Sequence, residues 1–256
     1  MMIMKKNVVY SYHDFNDDIV ESKNQNFELD SSYIYIHHNI FYKLLSFIAY
    51  VLSVLFALFY CKFFLHVKYQ NKKALKNWRS FYLFANHTQP IGDAFIPALA
   101  LFPKRPFVLI SPANLGIPIL GKLLPFMGGL PISDNVHQMN SLIQATKYHL
   151  NKKRCIVIYP EAHVWPYYTK IRPFASSAFN FPVSQNVPSF CLTTTYQKSK
   201  IYKKPRITVY IDGPFFPDMN LDKKGRIAKL HEDVKNCMEK RSKASNYQYI
   251  KYQKIQ

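Results

Sequence analysis

The sequence predicts an α/β fold, in which a mixed, largely parallel sheet is flanked by helices and preceded by an N-terminal hydrophobic anchor helix. Short apolar runs of strand length alternate with longer amphipathic segments, and this β-α-β-α-β order favours strands joined by helical crossovers. A long uncharged stretch at residues 44–61 precedes them. With 256 residues and no linker-like segment, the chain is expected to form one main domain with appendages.

The uncharged stretch at residues 44–61 is close to the length of about 20 apolar residues that crosses a bilayer. It is apolar on all faces, which favours a membrane anchor, spanning or sunk in the bilayer, over the alternative of a buried core helix. Acidic residues precede it and basic residues follow it, so the positive-inside rule places the following part in the cytoplasm. We expect a polar extension at residues 1–38, an anchor helix at 39–68 and a cytoplasm-facing domain at 69–256.

Six segments are predicted to be strands because they are short and rich in apolar, β-branched or aromatic residues. They lie at residues 79–85, 106–111, 128–133, 154–159, 187–196 and 206–211. Helical spacing of apolar residues predicts helices at 139–150 and 227–238, and a further helix is expected to begin near Asp93.

Charge and cysteine usage limit the class of partner. The chain has 34 Lys and Arg against 15 Asp and Glu, a formal charge of +19, which indicates an anionic partner. No compact nucleic-acid recognition motif is present, so membrane lipid or an acidic donor is expected and nucleic acid is not. The four cysteines are scattered without metal-ligand spacing, which predicts reduced thiols and no metal site.

His87 and Asp93 are the strongest candidates for chemistry. They lie in residues 86–93, where an apolar run meets a turn, and Glu161 ends a second apolar run in the same way. A histidine held by a carboxylate can take the proton of an attacking hydroxyl, and the open end of a sheet is where such groups meet substrate.

Four motifs resemble those of the glycerolipid acyltransferases, a family that includes the 1-acyl-glycerol-3-phosphate acyltransferases. The likeness covers about residues 79–213 and rests on order and spacing as well as on residue identity. The motifs are NHTQPIGD at 86–93, SPANLGIPILGKLLPFMGGLPIS at 111–133, YPEA at 159–162 and VPSFCLT at 187–193.

The resemblance implies an acyltransferase in which His87 is the general base and Asp93 orients its imidazole. The acceptor hydroxyl of a lysophospholipid would then attack the thioester of acyl-CoA or of acyl-carrier protein directly, without a covalent enzyme intermediate. It also implies no bound cofactor and a membrane-associated enzyme. Residues expected to bind substrate are Asn86, Glu161, His163, Lys170 and Arg172.

The motifs depart from the family pattern at three places. Five residues separate His87 from Asp93 instead of four, which would turn Asp93 by about 100° on a continuous helix, and Pro90 and Gly92 favour a looser turn that absorbs the extra residue. The second motif ends at Asp134 without its usual arginine. Residues 162–164 are Ala-His-Val where the family has Gly-Thr-Arg.

Lys170 and Arg172 are therefore expected to supply replacement charge for a phosphate. Two other interpretations stay open: an acceptor without a phosphomonoester, and an inactive membrane-anchored lipid-binding protein of the same fold. A third interpretation, a membrane-tethered nucleic-acid-binding protein, is supported by the positive charge alone. Hydrogen-bond reach between the side chains of His87 and Asp93 would favour catalysis over the inactive protein.

Overall fold

The central element of the fold is a mostly parallel sheet. The computed structural model describes residues 8–20, 27–133 and 135–255, and in these ranges nine strands are present. They are β1 (Val9–Tyr12), β2 (Lys68–Gln70), β3 (Tyr82–Ala85), β4 (Pro106–Ile110), β5 (Gly129–Pro131), β6 (Cys155–Ile158), β7 (Ser189–Gln197), β8 (Arg206–Phe215) and β9 (Lys251–Lys254).

Seven of these strands form one sheet in the order β2-β8-β7-β3-β6-β4-β5. The pairs from β7 to β5 are parallel, β8 is antiparallel to β7, and β2 is parallel to β8. The predicted mixed, largely parallel sheet is thus confirmed. Every residue of β3, β6 and β7 is buried, as expected for strands covered on both faces.

All six predicted strands are present, but the expected number is too low. The three additional strands are β1, β2 and β9, of which β1 and β9 pair with each other in a separate two-stranded sheet. They are short and largely polar, with sequences VYSY, KYQ and KYQK, and therefore carry no apolar run. Pairing with a neighbouring strand, and not local sequence, makes them strands.

Helices cover both faces of the main sheet. In the described residues they are α1 (Ile40–Phe59), α2 (Gly92–Leu101), α3 (Leu120–Met127), α4 (Val136–Asn151), α5 (Asn180–Gln185) and α6 (Lys223–Ser242). Successive residues of a strand point to opposite faces, so Leu83 and Ala85 enter the core beneath α1 and α2. Tyr82 and Phe84 enter the second core, together with residues of α4 and α6.

The segment predicted to be an anchor begins with α1, which Asn39 caps by accepting hydrogen bonds from the backbone amides of Phe41 and Tyr42. It continues as a π-helix over Tyr60–Phe64, and Ile40–Phe64 is the one described helix long and apolar enough to cross a membrane. Although α1 is apolar on all faces, not all of its surface is exposed. One stripe of α1 is buried, Ser46, Tyr50, Val54 and Ala57, and it packs toward α2 and α3.

The described parts of the N-terminal extension also contact the main domain. Trp165 donates a hydrogen bond to the carbonyl of Asp17, and Tyr35 donates to the carbonyl of Pro131. Residues 1–7, 21–26 and 256, and Asp134 at the end of the second motif, lie outside the described residues. The division at residues 38 and 68 stays a prediction.

Candidate active site

His87 and Asp93 lie at the carboxyl end of β3, in the middle of the sheet. Nδ1 of His87 is 2.7 Å from Oδ2 of Asp93, and the same carboxylate oxygen accepts the amide of Gln89 at 2.8 Å. The expected looser turn is present: residues 86–91 are not helical and α2 begins only at Gly92. Because no continuous helix links the two residues, the extra residue does not turn the carboxylate away.

Burial and the start of α2 set the electrostatics of this pair. Asp93 is 5% exposed, and burial raises its pKa, while the hydrogen bond from His87 acts in the opposite direction. Its place in the first turn of a helix favours the charged carboxylate. The ring of Tyr159 stacks on the imidazole at 4.5 Å between centroids, and its hydroxyl donates to the carbonyl of Asp93. The imidazole is therefore held in one orientation.

The carboxylate of Glu161 binds the backbone of the same turn. One of its carboxylate oxygens accepts the backbone amide of His87 at 3.1 Å, and the other accepts the amide of Arg172 at 3.0 Å. The guanidinium of Arg172 lies 3.4 Å from the first of these oxygens, and both side chains are almost fully buried. Burial raises the pKa of Glu161, and the positive charge of Arg172 opposes that rise.

The remaining bonds of Arg172 also point into the protein. Its guanidinium donates to the carbonyls of Phe15 and His163 and lies 4.9 Å over the ring of Trp165. Asn86 is likewise used internally: its amide nitrogen donates to the carbonyl of Thr194 and its oxygen accepts the amide of that residue. This two-way bond joins the end of β3 to β7.

A second polar group supports the turn and was not found from the sequence. The hydroxyl of Tyr196, at the end of β7, bonds to the hydroxyl of Thr88 at 2.7 Å and accepts from the side-chain amide (Nε2) of Gln89 at 2.9 Å. All three side chains are buried. Tyr196 lies more than one hundred residues from its partners, so no local pattern marks it.

The residues predicted to bind substrate lie in three different environments: in the pocket next to His87, on the exposed surface, and in the protein interior. His163 lines the pocket beside His87, with its Nδ1 3.6 Å from a carboxylate oxygen of Asp18. Lys170 is exposed and does not line that pocket. Asn86, Glu161 and Arg172 make their hydrogen bonds to the protein around the turn at residues 86–91, and their part in substrate binding stays a prediction.

The pocket next to His87 has a volume of about 1630 Å³. Its described lining is largely apolar. It comes from the ends of β4, β5 and β6, from α1, α2 and α4, from the second motif, and from the described part of the N-terminal extension. The side chain of His87 is 23% exposed, so part of the ring is accessible from this space. The described lining contains no lysine or arginine, although the chain carries 34 of them.

One cluster of potential metal ligands is found in the described residues, away from this pocket. The ligand atoms of Cys191, Asp212 and Cys237 lie within 4.8 Å of one another. However, both oxygens of Asp212 accept hydrogen bonds from Arg241, which already neutralises the carboxylate. The cluster therefore fits an internal ion pair beside two thiols better than a cation site.

Comparison with known proteins supplies the family. The sequence model of the Acyltransferase family matches residues 66–193, half of the chain, which include His87, Asp93 and Glu161. No curated protein sequence is similar enough to count as a relative. The crystal structure of the 1-acyl-sn-glycerophosphate (LPA) acyltransferase PlsC from Thermotoga maritima is similar in fold, with a TM-score of 0.53. The two sequences are 17% identical over 82% of this chain and 98% of that one, and the match to the family model shows that this chain belongs to the acyltransferase family.

Proposed function

We propose that the protein transfers a fatty acyl group from acyl-CoA or acyl-carrier protein to the hydroxyl of a lysophospholipid, with His87 as general base. The observation that carries this proposal is the 2.7 Å contact between Nδ1 of His87 and the carboxylate of Asp93, beside a large apolar pocket. A pocket of this kind suits acyl chains, and the family match supports acyl transfer.

The proposed reaction proceeds by direct attack. The carboxylate of Asp93 accepts a hydrogen bond from Nδ1–H of His87, which keeps that proton on Nδ1 and leaves the lone pair on Nε2 free to take the proton of the acceptor hydroxyl. The hydroxyl oxygen bonds to the thioester carbon, and the resulting tetrahedral oxyanion collapses by breaking the carbon–sulfur bond. The imidazolium then returns the proton to the departing thiolate, so the histidine ends as it began. No metal or bound cofactor is part of this reaction.

Glu161, Arg172 and Asn86 act as positioning residues in this proposal. Glu161 fixes the backbone of His87, Arg172 neutralises Glu161, and Asn86 joins the strand end to β7. This assignment replaces the expectation that Arg172 meets a phosphate, because its guanidinium is 1% exposed and bonded on the protein side. The intact His87 and Asp93 contact also favours a working enzyme over an inactive lipid binder.

A second candidate acceptor is a lipid hydroxyl without a phosphomonoester. The described lining of the pocket contains no lysine or arginine, whereas the carboxylates of Asp18 and Glu28 lie on its wall. The two arginines of the family motifs are replaced in this sequence. Such a wall offers no counter-charge to a doubly negative phosphate and fits a neutral or zwitterionic headgroup better.

The packing of α1 supports a membrane-associated protein with a surface anchor. Buried residues of α1 run from Ser46 to Ala57 and contact α2 and α3, so a spanning α1 would draw those helices into the hydrocarbon. We therefore place α1 in one leaflet, with its exposed apolar face toward the acyl chains. The charge of +19 favours the cytoplasmic leaflet, which carries anionic lipid.

Acyl transfer from labelled acyl-CoA and acyl-carrier protein to phosphorylated and neutral lysolipids tests the proposal. Wild type is compared with His87→Ala, and His38→Ala on the exposed surface serves as the matched control. Product formation that is lost in His87→Ala and retained in His38→Ala is the expected result, and the preferred acceptor decides between the two candidates. Equal activity of wild type and His87→Ala would reject His87 as the base.

A further inference from the structure

A second cavity of about 1160 Å³ lies beside the last turn of α1. Its walls come from the end of α1, the π-helix Tyr60–Phe64, β2, and the segment between β7 and β8. Among the described residues, it shares no lining residue with the pocket next to His87. It is therefore a separate binding space at the end of the anchor.

The charged residues of this cavity are basic, whereas the pocket next to His87, called here the reaction pocket, is lined by carboxylates and by no described lysine or arginine. Its described lining contains no carboxylate, and its basic side chains form no ion pair with any described carboxylate. The basic residues that line it are Lys62, Lys68, Lys72, Lys198, Lys200 and Arg206. Six cations gathered in one place, with no counter-ion in the part of the chain that the structure describes, favour an anionic ligand.

One of these lysines is held in place. The ammonium of Lys72 donates to the carbonyl of Leu99 at 2.6 Å, and burial lowers its pKa. The other basic residues come from four places, the π-helix, β2, the segment between β7 and β8, and the start of β8, and they line the same space. An anion that enters the cavity would gain several charge-assisted contacts at once.

Exposed apolar side chains also line the cavity. Phe59, Phe63 and Ile201 line it and are 53%, 58% and 84% exposed. The ring of Tyr202 stacks on His66 at 3.7 Å, which fixes the segment after β7 against the anchor. A ligand that suits these walls has an anionic head and an apolar body.

We propose that this cavity binds the headgroup of an anionic phospholipid where α1 meets the membrane surface. The lipid is a constituent of the bilayer and not the acceptor, because the cavity and the reaction pocket are separate. Acyl-CoA also carries phosphates, so competition by free CoA distinguishes the donor from a bilayer lipid as the occupant. Anionic lipid would thus fix the protein on the membrane with its reaction pocket at the surface.

Vesicle flotation of the full chain tests this proposal without requiring activity. One variant combines Lys68→Gln, Lys198→Gln and Arg206→Gln in the cavity, and its control removes the same charge elsewhere through Lys147→Gln, Lys223→Gln and Lys224→Gln. Each is mixed with phosphatidylcholine vesicles and with vesicles that contain about one third phosphatidylglycerol. We expect the partition coefficient of the cavity variant for anionic vesicles to fall on the order of a hundredfold.

The control variant is expected to lose only a few-fold, and both variants should bind neutral vesicles like wild type. Equal losses in the two variants would reduce the effect to net charge and overturn the proposal, as would an unchanged cavity variant. Displacement of wild type from vesicles by free CoA, together with a raised KM for the donor in the cavity variant, would reassign the cavity to the donor. If the triple variant does not fold, Lys198→Gln with Lys200→Gln in the exposed segment repeats the test, with an expected loss of about thirtyfold.

Discussion

Replacement of Asp93 by asparagine tests the proposed mechanism most directly. Oδ2 of Asp93 accepts from Nδ1 of His87 at 2.7 Å and from the amide of Gln89 at 2.8 Å. An amide oxygen at that position keeps both bonds but loses the negative charge. An amide nitrogen there faces two donors and forces the ring proton onto Nε2, where it blocks proton abstraction. Both orientations weaken the base.

The loss of charge sets the expected magnitude. During proton abstraction His87 becomes an imidazolium whose charge lies about 4 Å from the centre of the carboxylate, and this attraction is worth about 4 kcal/mol at an effective dielectric constant of 20. Such a loss from the transition state corresponds to a fall in kcat of about a thousandfold. KM for the acceptor should change little, because Asp93 acts through His87.

The assay is acyl transfer in detergent-lipid micelles with the acceptor identified by the lysolipid panel. Asp233→Asn, which changes an exposed aspartate paired with Lys229 on α6, is the matched control and should leave kcat unchanged. Melting temperatures of both variants show whether they are folded. A folded Asp93→Asn protein with kcat within about tenfold of wild type would refute the reasoning.

Three further outcomes are expected. Arg172→Ala leaves the buried carboxylate of Glu161 without its cation and should cost about 3–5 kcal/mol of stability, measured as a fall in Tm; an unchanged Tm would contradict the buried ion pair. Burial and the charge of Arg154 lower the pKa of His149 to about 3, below the unfolded value of about 6.5. The stability that depends on His149 is therefore full above pH 6.5 and is lost as the pH falls toward 3, by at most about 1.4 kcal/mol per pH unit. In His149→Gln, the free energy of unfolding should depend less steeply on pH across this window. Ala162 has φ of 62°, so Ala162→Gly should raise the free energy of unfolding by about 1 kcal/mol, and a loss of stability on chemical denaturation would disprove that strain.

Local sequence was sufficient for the central elements because burial leaves a periodic trace. The runs predicted at residues 106–111 and 154–159 have apolar centres, PFVLI and CIVI, as strands covered on both faces do, and these centres became β4 and β6. The helical spacing at residues 139–150 became α4, in which Leu142 and Leu150 are buried. Strands such as β2, which gain their geometry from a neighbour, leave no comparable trace.

Only part of the candidate site could be predicted from local sequence. The order of the motifs pointed to His87 and Asp93, and the residues between them favoured a turn over a continuous helix. The support by Tyr196, and the inward direction of Arg172, depend on contacts between segments far apart in the chain. A single sequence does not record which distant groups share a hydrogen bond.

The sequence by itself determined the fold class, the long apolar helix near the N-terminus and the acyltransferase motifs, because apolar periodicity and motif spacing are local properties. Only the tertiary structure decided that one stripe of α1 packs on the domain and that the basic residues collect in a cavity apart from the reaction pocket. The physical reason is that burial and electrostatic potential are sums over neighbours in space. The sequence contains every charge, but the fold alone places Lys68, Lys198 and Arg206 around one space and leaves the pocket at His87 without a described cation.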